Sequence, residues 1–112
     1  MSAWSPSPGE IIWLDFAPTQ GTERSGRRPA LTLSDGDYNA ATGRAMVAPI
    51  TSRVRDWPLE VALAPDDPVK GAVLVDQARC VDWRARFAKT AGFCAPVTLE
   101  AVRGKLSALL GL

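Results

Sequence analysis

Glu10-Ile11-Ile12-Trp13-Leu14-Asp15-Phe16 is the stretch from which the fold reads most directly. β-Branched and aromatic side chains stand there in partial alternation, which predicts a strand over 10–16. Working outward, residues 1–8 form a Ser/Pro-rich lead-in expected to be mobile. Downstream, Ala17 to Arg28 has no periodicity and carries Gly21, Gly26, Glu23, Arg24, Arg27 and Arg28. It reads as a functional or mobile loop of about twelve residues, near the upper limit for an unstructured connection.

Further strands are expected over 29–34 (PALTLS), with proline tolerated at its first position, over 44–50 (RAMVAPI), with Thr51-Ser52 at its end, and over 59–63 (LEVAL). Gly71 to Val75 opens another apolar strand that runs through Asp76 and Gln77 toward Val81, and 82–89 is expected to hold a turn and one more short strand. Asp35-Gly36-Asp37 signals a turn, and 38–43 a turn or a single helical turn. The last segment changes period. Leu99, Val102, Leu106, Leu109 and Leu110 form one stripe of a helix, with Thr98 as the expected N-cap and Glu100 in the first turn. Gly104 within it marks either a close neighbour or a tolerated surface position. Roughly five to seven short strands followed by one helix indicate a small antiparallel barrel with a helix over its open face.

A chain of 112 residues, 46% apolar, is long enough for one core and one domain, 1–112. Thirteen basic residues against twelve acidic ones exclude a protein that coats nucleic acid by bulk charge. The chain contains no histidine, so nucleophile systems with an imidazole base and His-based metal sites are excluded together. The two cysteines, Cys80 and Cys94, make no CxxC pair and are expected as buried thiols. No signal peptide and no membrane span is legible, which points to a cytoplasmic protein.

Several residues can carry chemistry. The basic, glycine-containing loop up to Pro29 is a phosphate-binding candidate as well as an ordinary solvated loop. Arg28 precedes a proline, so its backbone is held extended and its side chain is aimed from a rigid position. Thr51 places a hydroxyl where the chain leaves a strand, able to hold a phosphate oxygen or to bond its own turn. Asp76 and Gln77 interrupt an apolar strand; such a pair faces a site or an interface, or pairs with an arginine such as Arg79. Trp83 beside Arg84 and Arg86 offers either a stacking site or a core anchor.

The segments PGEIIWLDFAPTQGTE, GRRPALTLS, YNAATG, APITS and GAVLVDQARCVDWRAR resemble, in order and spacing, the MazF/PemK toxins, the mRNA interferases of type II toxin–antitoxin systems. The resemblance runs from Pro8-Gly9 to the C-terminus, and the short connection from Thr51 to Leu59 is similar to the compact MazF branch. It implies an SH3-like (CcdB/PemK-like) antiparallel barrel with a C-terminal helix, mainly β with α. It implies a homodimeric endoribonuclease that cuts single-stranded RNA at a short motif. Neither metal nor cofactor would take part, and the products would be a 2′,3′-cyclic phosphate and a 5′-OH. A cognate MazE-like antitoxin would neutralise it and join it in DNA binding. The family's catalytic Arg and Thr fall on Arg28 and Thr51, and its RNA-binding positions on Glu23, Asp76 and Gln77, with Gln20 and Arg86 as further RNA-binding candidates. The Kid branch uses a His and an Arg where this chain has Thr22 and Leu74, so that version of the site is absent.

The chemistry of these side chains agrees. RNA transesterification needs the 2′-OH deprotonated, the phosphorane charge neutralised and the 5′-oxygen protonated. A guanidinium at position 28 can neutralise the phosphorane bidentately, and Thr51 can hold the phosphate in line. A guanidinium is a poor base, which leaves Glu23 or Asp76, or a weak base and a slow enzyme. The rival readings are a CcdB-like toxin that binds DNA gyrase without enzymatic activity, and an inactive homologue that only binds its antitoxin.

Overall fold

The computed structural model describes residues 4–16 and 26–112. Within them lie seven strands: β1 (Glu10–Phe16), β2 (Gly26–Thr32), β3 (Arg44–Thr51), β4 (Glu60–Ala62), β5 (Ala72–Leu74), β6 (Arg79–Asp82) and β7 (Lys89–Phe93). Two helices join them, α1 (Gly36–Thr42) and α2 (Pro96–Leu109). All the strand pairings are antiparallel, in the order β4-β5-β3-β2-β1-β7, with β6 also on β3. The fold class expected from the sequence is the one observed: a curled, barrel-like antiparallel sheet with a C-terminal helix.

β3 organises the sheet. One edge pairs with β2 over Val47–Ala48–Pro49, and the other takes β6 over 44–47 and then β5 at Ile50 and Thr51. The central strands are buried on both faces, which is why their sequences read as near-continuous apolar runs. Ile12, Leu14, Ala30, Val47, Val81 and Trp83 pack on one side; Ile11, Leu31, Ala48, Ile50, Val73 and Val102 pack on the other.

Several elements depart from the sequence reading. β2 begins at Gly26 rather than Pro29, so Arg27 and Arg28 belong to the strand and not to the loop. The rest of that loop, including Gln20, Thr22 and Glu23, lies outside the described residues. Residues 4–8 are pinned. Trp4 donates from Nε1 to Glu10 Oε2 at 3.0 Å and meets Trp83 edge-on, Ser7 N–H donates to Glu10 Oε1 at 3.0 Å, and Pro6 is buried. Residues 36–42 form a true helix, capped by Asp35 and closed by Gly43 at φ 73°.

α2 starts at Pro96 rather than after Thr98. Its N-terminus has no side-chain cap but is anchored from a distance: Asp67 accepts from Ala95 N–H at 2.7 Å and from the Thr98 hydroxyl at 3.1 Å. Glu100 is exposed beyond the first turn. Val102 of the helix stripe is buried, but Leu109 and Leu110 are exposed, and among the described residues nothing lies within 4 Å of the place of a Cβ on Gly104. No helix among the described residues is long and apolar enough to cross a membrane.

Candidate active site

Thr51 ends β3 where that strand passes from β2 to β5. Its side chain is half-buried, and its Oγ1 accepts from the Arg53 N–H at 3.1 Å. β2 and β3 pair Ala30 with Pro49. Two residues beyond that pair stand Arg28, which pairs with Leu14 of β1, and Thr51, which pairs with Ala72 of β5. The two residues singled out for catalysis thus stand on adjacent strands, each two residues from the Ala30–Pro49 pair, although 23 positions separate them in the chain.

Arg27 and Arg28 alternate across β2, as strand geometry requires. Arg27 is spent on structure. It donates to Asp15 Oδ1 at 2.8 Å, to the Trp13 carbonyl at 3.2 Å and to the Phe87 carbonyl at 2.7 Å. Arg28 is exposed, and its guanidinium makes no hydrogen bond or ion pair with another described residue.

Thr51 opens on a cleft whose other walls come from Arg53, Arg55 and Trp57 of the β3–β4 loop, from Glu60 on β4, and from Leu74 and Gln77. The backbone beneath Thr51 is close-packed. Gly71 sits at φ 130°, and a Cβ on it would overlap the Thr51 carbonyl oxygen.

The expected strand through Asp76 and Gln77 is broken. Val75–Gln77 form a 3₁₀ turn, with Ala78 N–H donating to the Val75 carbonyl, so the chain bends outward at the polar pair. Gln77 thereby enters the cleft, whereas Asp76 is exposed and outside it. Arg86 is half-buried on the opposite edge of β1 from β2. Its Nη1 donates to the Asp15 carbonyl at 3.2 Å, and its own carbonyl accepts from Asp15 N–H. Trp83 is a core anchor: buried, with Nε1 donating to the Asn39 carbonyl at 3.0 Å and the Arg84 guanidinium over its ring.

Of the cysteines, Cys94 is buried and Cys80 exposed, which corrects the expectation of two buried thiols. Burial, and next the negative charge of Asp67, push the Cys94 thiol above its ordinary value. Sequence reading passed over Arg53, Arg55, Trp57 and Glu60. The interleaving of charge and indole in 53–57 was the available signal; Glu60 gave none, because it occupies a regular place in an alternating strand.

The cleft offers a hydroxyl and an amide with two guanidinium groups and an indole alongside, and the exposed Arg28 stands on the neighbouring strand β2. Known proteins with this architecture carry related sequences. Residues 7–110 match the family described as the PemK-like, MazF-like toxins of type II toxin–antitoxin systems. The endoribonuclease toxin MazF of Escherichia coli K12 is 39% identical over 111 residues, covering 99% of both chains. The endoribonuclease toxin ChpB of the same strain is 36% identical over 108 residues, covering 91% of each. In the crystal structure of MazE–MazF from Deinococcus radiodurans (form II), the matching chain superposes with a TM-score of 0.92 at 44% identity, covering 98% of this chain and 99% of that one. The chain belongs to the PemK-like, MazF-like toxin family.

Proposed function

We propose that this toxin endoribonuclease cuts single-stranded RNA at a short motif, with Arg28 and Thr51 as its catalytic residues and the whole of 1–112 as one catalytic domain. The observation that carries the reading is the Thr51 cleft, a hydroxyl beside Gln77 and two arginines, with the exposed Arg28 on the strand that pairs with β3.

The 2′-hydroxyl gives up its proton to solvent and its oxygen attacks the adjacent phosphorus; the bond from phosphorus to the 5′-oxygen breaks, and that oxygen takes up a proton from solvent. The products are a 2′,3′-cyclic phosphate and a 5′-OH, and no metal or cofactor takes part. Arg28 neutralises the charge that develops on the phosphorane oxygens, and Thr51 donates to a non-bridging oxygen and keeps the phosphate in line. Gln77 offers both a donor and an acceptor to a base edge. Asp76, Arg86, Gln20 and Glu23 are the remaining RNA contacts we assign. Asp76 and Arg86 lie outside the Thr51 cleft, so they contact the strand beyond the scissile phosphate.

The enzyme works in the cytoplasm as a homodimer. A cognate antitoxin neutralises it, and the MazE–MazF complexes of related chains support that partner. An extended acidic and apolar antitoxin segment laid across the same groove would block it, and the complex would bind DNA. The test is cleavage of a defined single-stranded RNA in EDTA by the wild type, Arg28→Ala and Thr51→Ala, with the ends of the products identified.

A further inference from the structure

Glu60 ties down the loop that carries Trp57. Its carboxylate accepts from the Arg55 N–H at 2.9 Å, and its own backbone N–H donates to the Trp57 carbonyl at 2.9 Å. Glu60 is only 8% exposed, so this carboxylate sits in the wall rather than on the surface. Between the two tethered residues, Asp56 takes a left-handed φ of 54°. A side chain held in that region costs energy and persists only where its surroundings over-determine it. Two hydrogen bonds to one buried residue do so here.

The clamped loop has one conspicuous product. Trp57 is displayed on the cleft that also holds Thr51 and Gln77, with 49% of its surface open. Arg53 and Arg55 stand on the same walls. An exposed indole among guanidinium groups, mounted on a rigid loop, is the composition of a platform for unpaired bases: the ring stacks and the cations follow the phosphates.

We propose that Trp57 is the base-stacking platform of this active site. A base of the RNA next to the phosphate at Thr51 lies on the indole, and Glu60 is a positioning residue that presents the ring. The proposal rests on the ribonuclease reading above. It assigns to Trp57 a binding and selectivity role and to Arg28 and Thr51 the chemistry.

The test uses short single-stranded RNAs cut by the full chain, with a non-cleavable analogue bearing a 2′-deoxy nucleotide at the cut for binding. Trp57→Ala is expected to raise KM, and the Kd of the analogue, about ten- to a hundredfold, with kcat within threefold of the wild type. Trp57→Phe restores most of this, whereas Trp57→Leu, apolar but not aromatic, does not. Glu60→Gln, whose side-chain oxygen still accepts from Arg55 N–H, stays near the wild type, and Glu60→Leu follows Trp57→Ala. Removing the stacked base from the RNA, by an abasic nucleotide at that position, weakens the wild type but costs Trp57→Ala nothing further.

A wild type that cuts RNA, with Trp57→Ala unchanged in KM and Kd, overturns the stacking role and leaves the ribonuclease reading standing. Rescue by leucine as complete as by phenylalanine also overturns it, since packing alone would then suffice. A wild type that neither cuts nor binds overturns both readings together.

Discussion

The Thr51 side-chain oxygen accepts a hydrogen bond from the Arg53 backbone N–H at 3.1 Å. That bond orients the hydroxyl and leaves its proton to be donated into the cleft. Thr51→Ser should keep kcat within about tenfold, because serine repeats both bonds, while Thr51→Ala should lower kcat about a hundredfold. The unfolding temperature of Thr51→Ala should fall by no more than about 4 °C, the value of one exposed turn bond in a chain of this size. Steady-state kinetics and thermal unfolding of both variants check this, and a larger stability loss in the alanine variant would assign Thr51 to the scaffold instead.

Gly71→Ala should damage both stability and activity. A methyl group there meets the Thr51 carbonyl oxygen, and φ 130° is unfavourable for alanine. The expected cost is about 2 kcal/mol or more, a fall of roughly 10 °C in Tm. Activity measured well below the new Tm should fall as well, since the end of β3 must move. A Tm within 2 °C of the wild type would show that the backbone yields freely, contrary to this packing.

Asp67 and Asp15 offer a contrast between a buried and an exposed carboxylate. Asp67 satisfies the N–H groups of Ala64 and Ala95 and the Thr98 hydroxyl, and so anchors α2. Asp67→Ala leaves these groups without their acceptor and should cost about 3 kcal/mol. Asp15→Ala removes the exposed ion pair to Arg27 and should cost less than about 1 kcal/mol. Denaturant unfolding of the two variants in parallel reads the difference.

The buried Cys94 thiol gives stability a dependence on alkaline pH. Its pKa in the folded chain lies above the ordinary 9.0, first because burial disfavours the thiolate and second because Asp67 repels it. The folded state thus keeps a proton that the unfolded state releases. Its contribution is fully present below pH 9.0 and is lost as pH rises from there through the folded value. Cys94→Ala should flatten that alkaline decline, measured as unfolding free energy against pH. In the native chain a thiol reagent should modify the exposed Cys80 and leave Cys94 untouched until unfolding.

What could be read from the sequence, and what could not, divides along physical lines. β1 was legible to the residue, because a strand buried on both faces leaves an apolar run bounded by polar residues. β2 was read three residues short, because Gly26-Arg27-Arg28 carries no apolar signal: its ladder is held by Asp15 and Phe16 of β1. The start of α2 was missed because Ala95 gives no capping signal and the anchor, Asp67, comes from 31 residues before Thr98. The strand expected through Asp76 and Gln77 failed at the polar pair, where a 3₁₀ turn brings Gln77 to the cleft. Arg28 and Thr51 were legible as separate candidates, and only the pairing of β2 with β3 brings their strands side by side. Trp57 and Glu60 stayed hidden because their importance lies in a loop shape fixed by two hydrogen bonds, which no periodicity records.

The most direct measurement compares two neighbouring arginines on opposite faces of β2. Wild type, Arg28→Ala and Arg27→Ala are incubated in EDTA with one defined single-stranded RNA, and the rates and product ends are determined. The wild type should cut at a short motif and leave 5′-OH ends, Arg28→Ala should lose about a hundred- to a thousandfold in kcat, and Arg27→Ala should retain cutting within a few-fold once its folding is verified. Cutting by Arg28→Ala at the wild-type rate, or no cutting of varied RNAs by the folded wild type, would contradict the assignment of this face as the site of RNA cleavage.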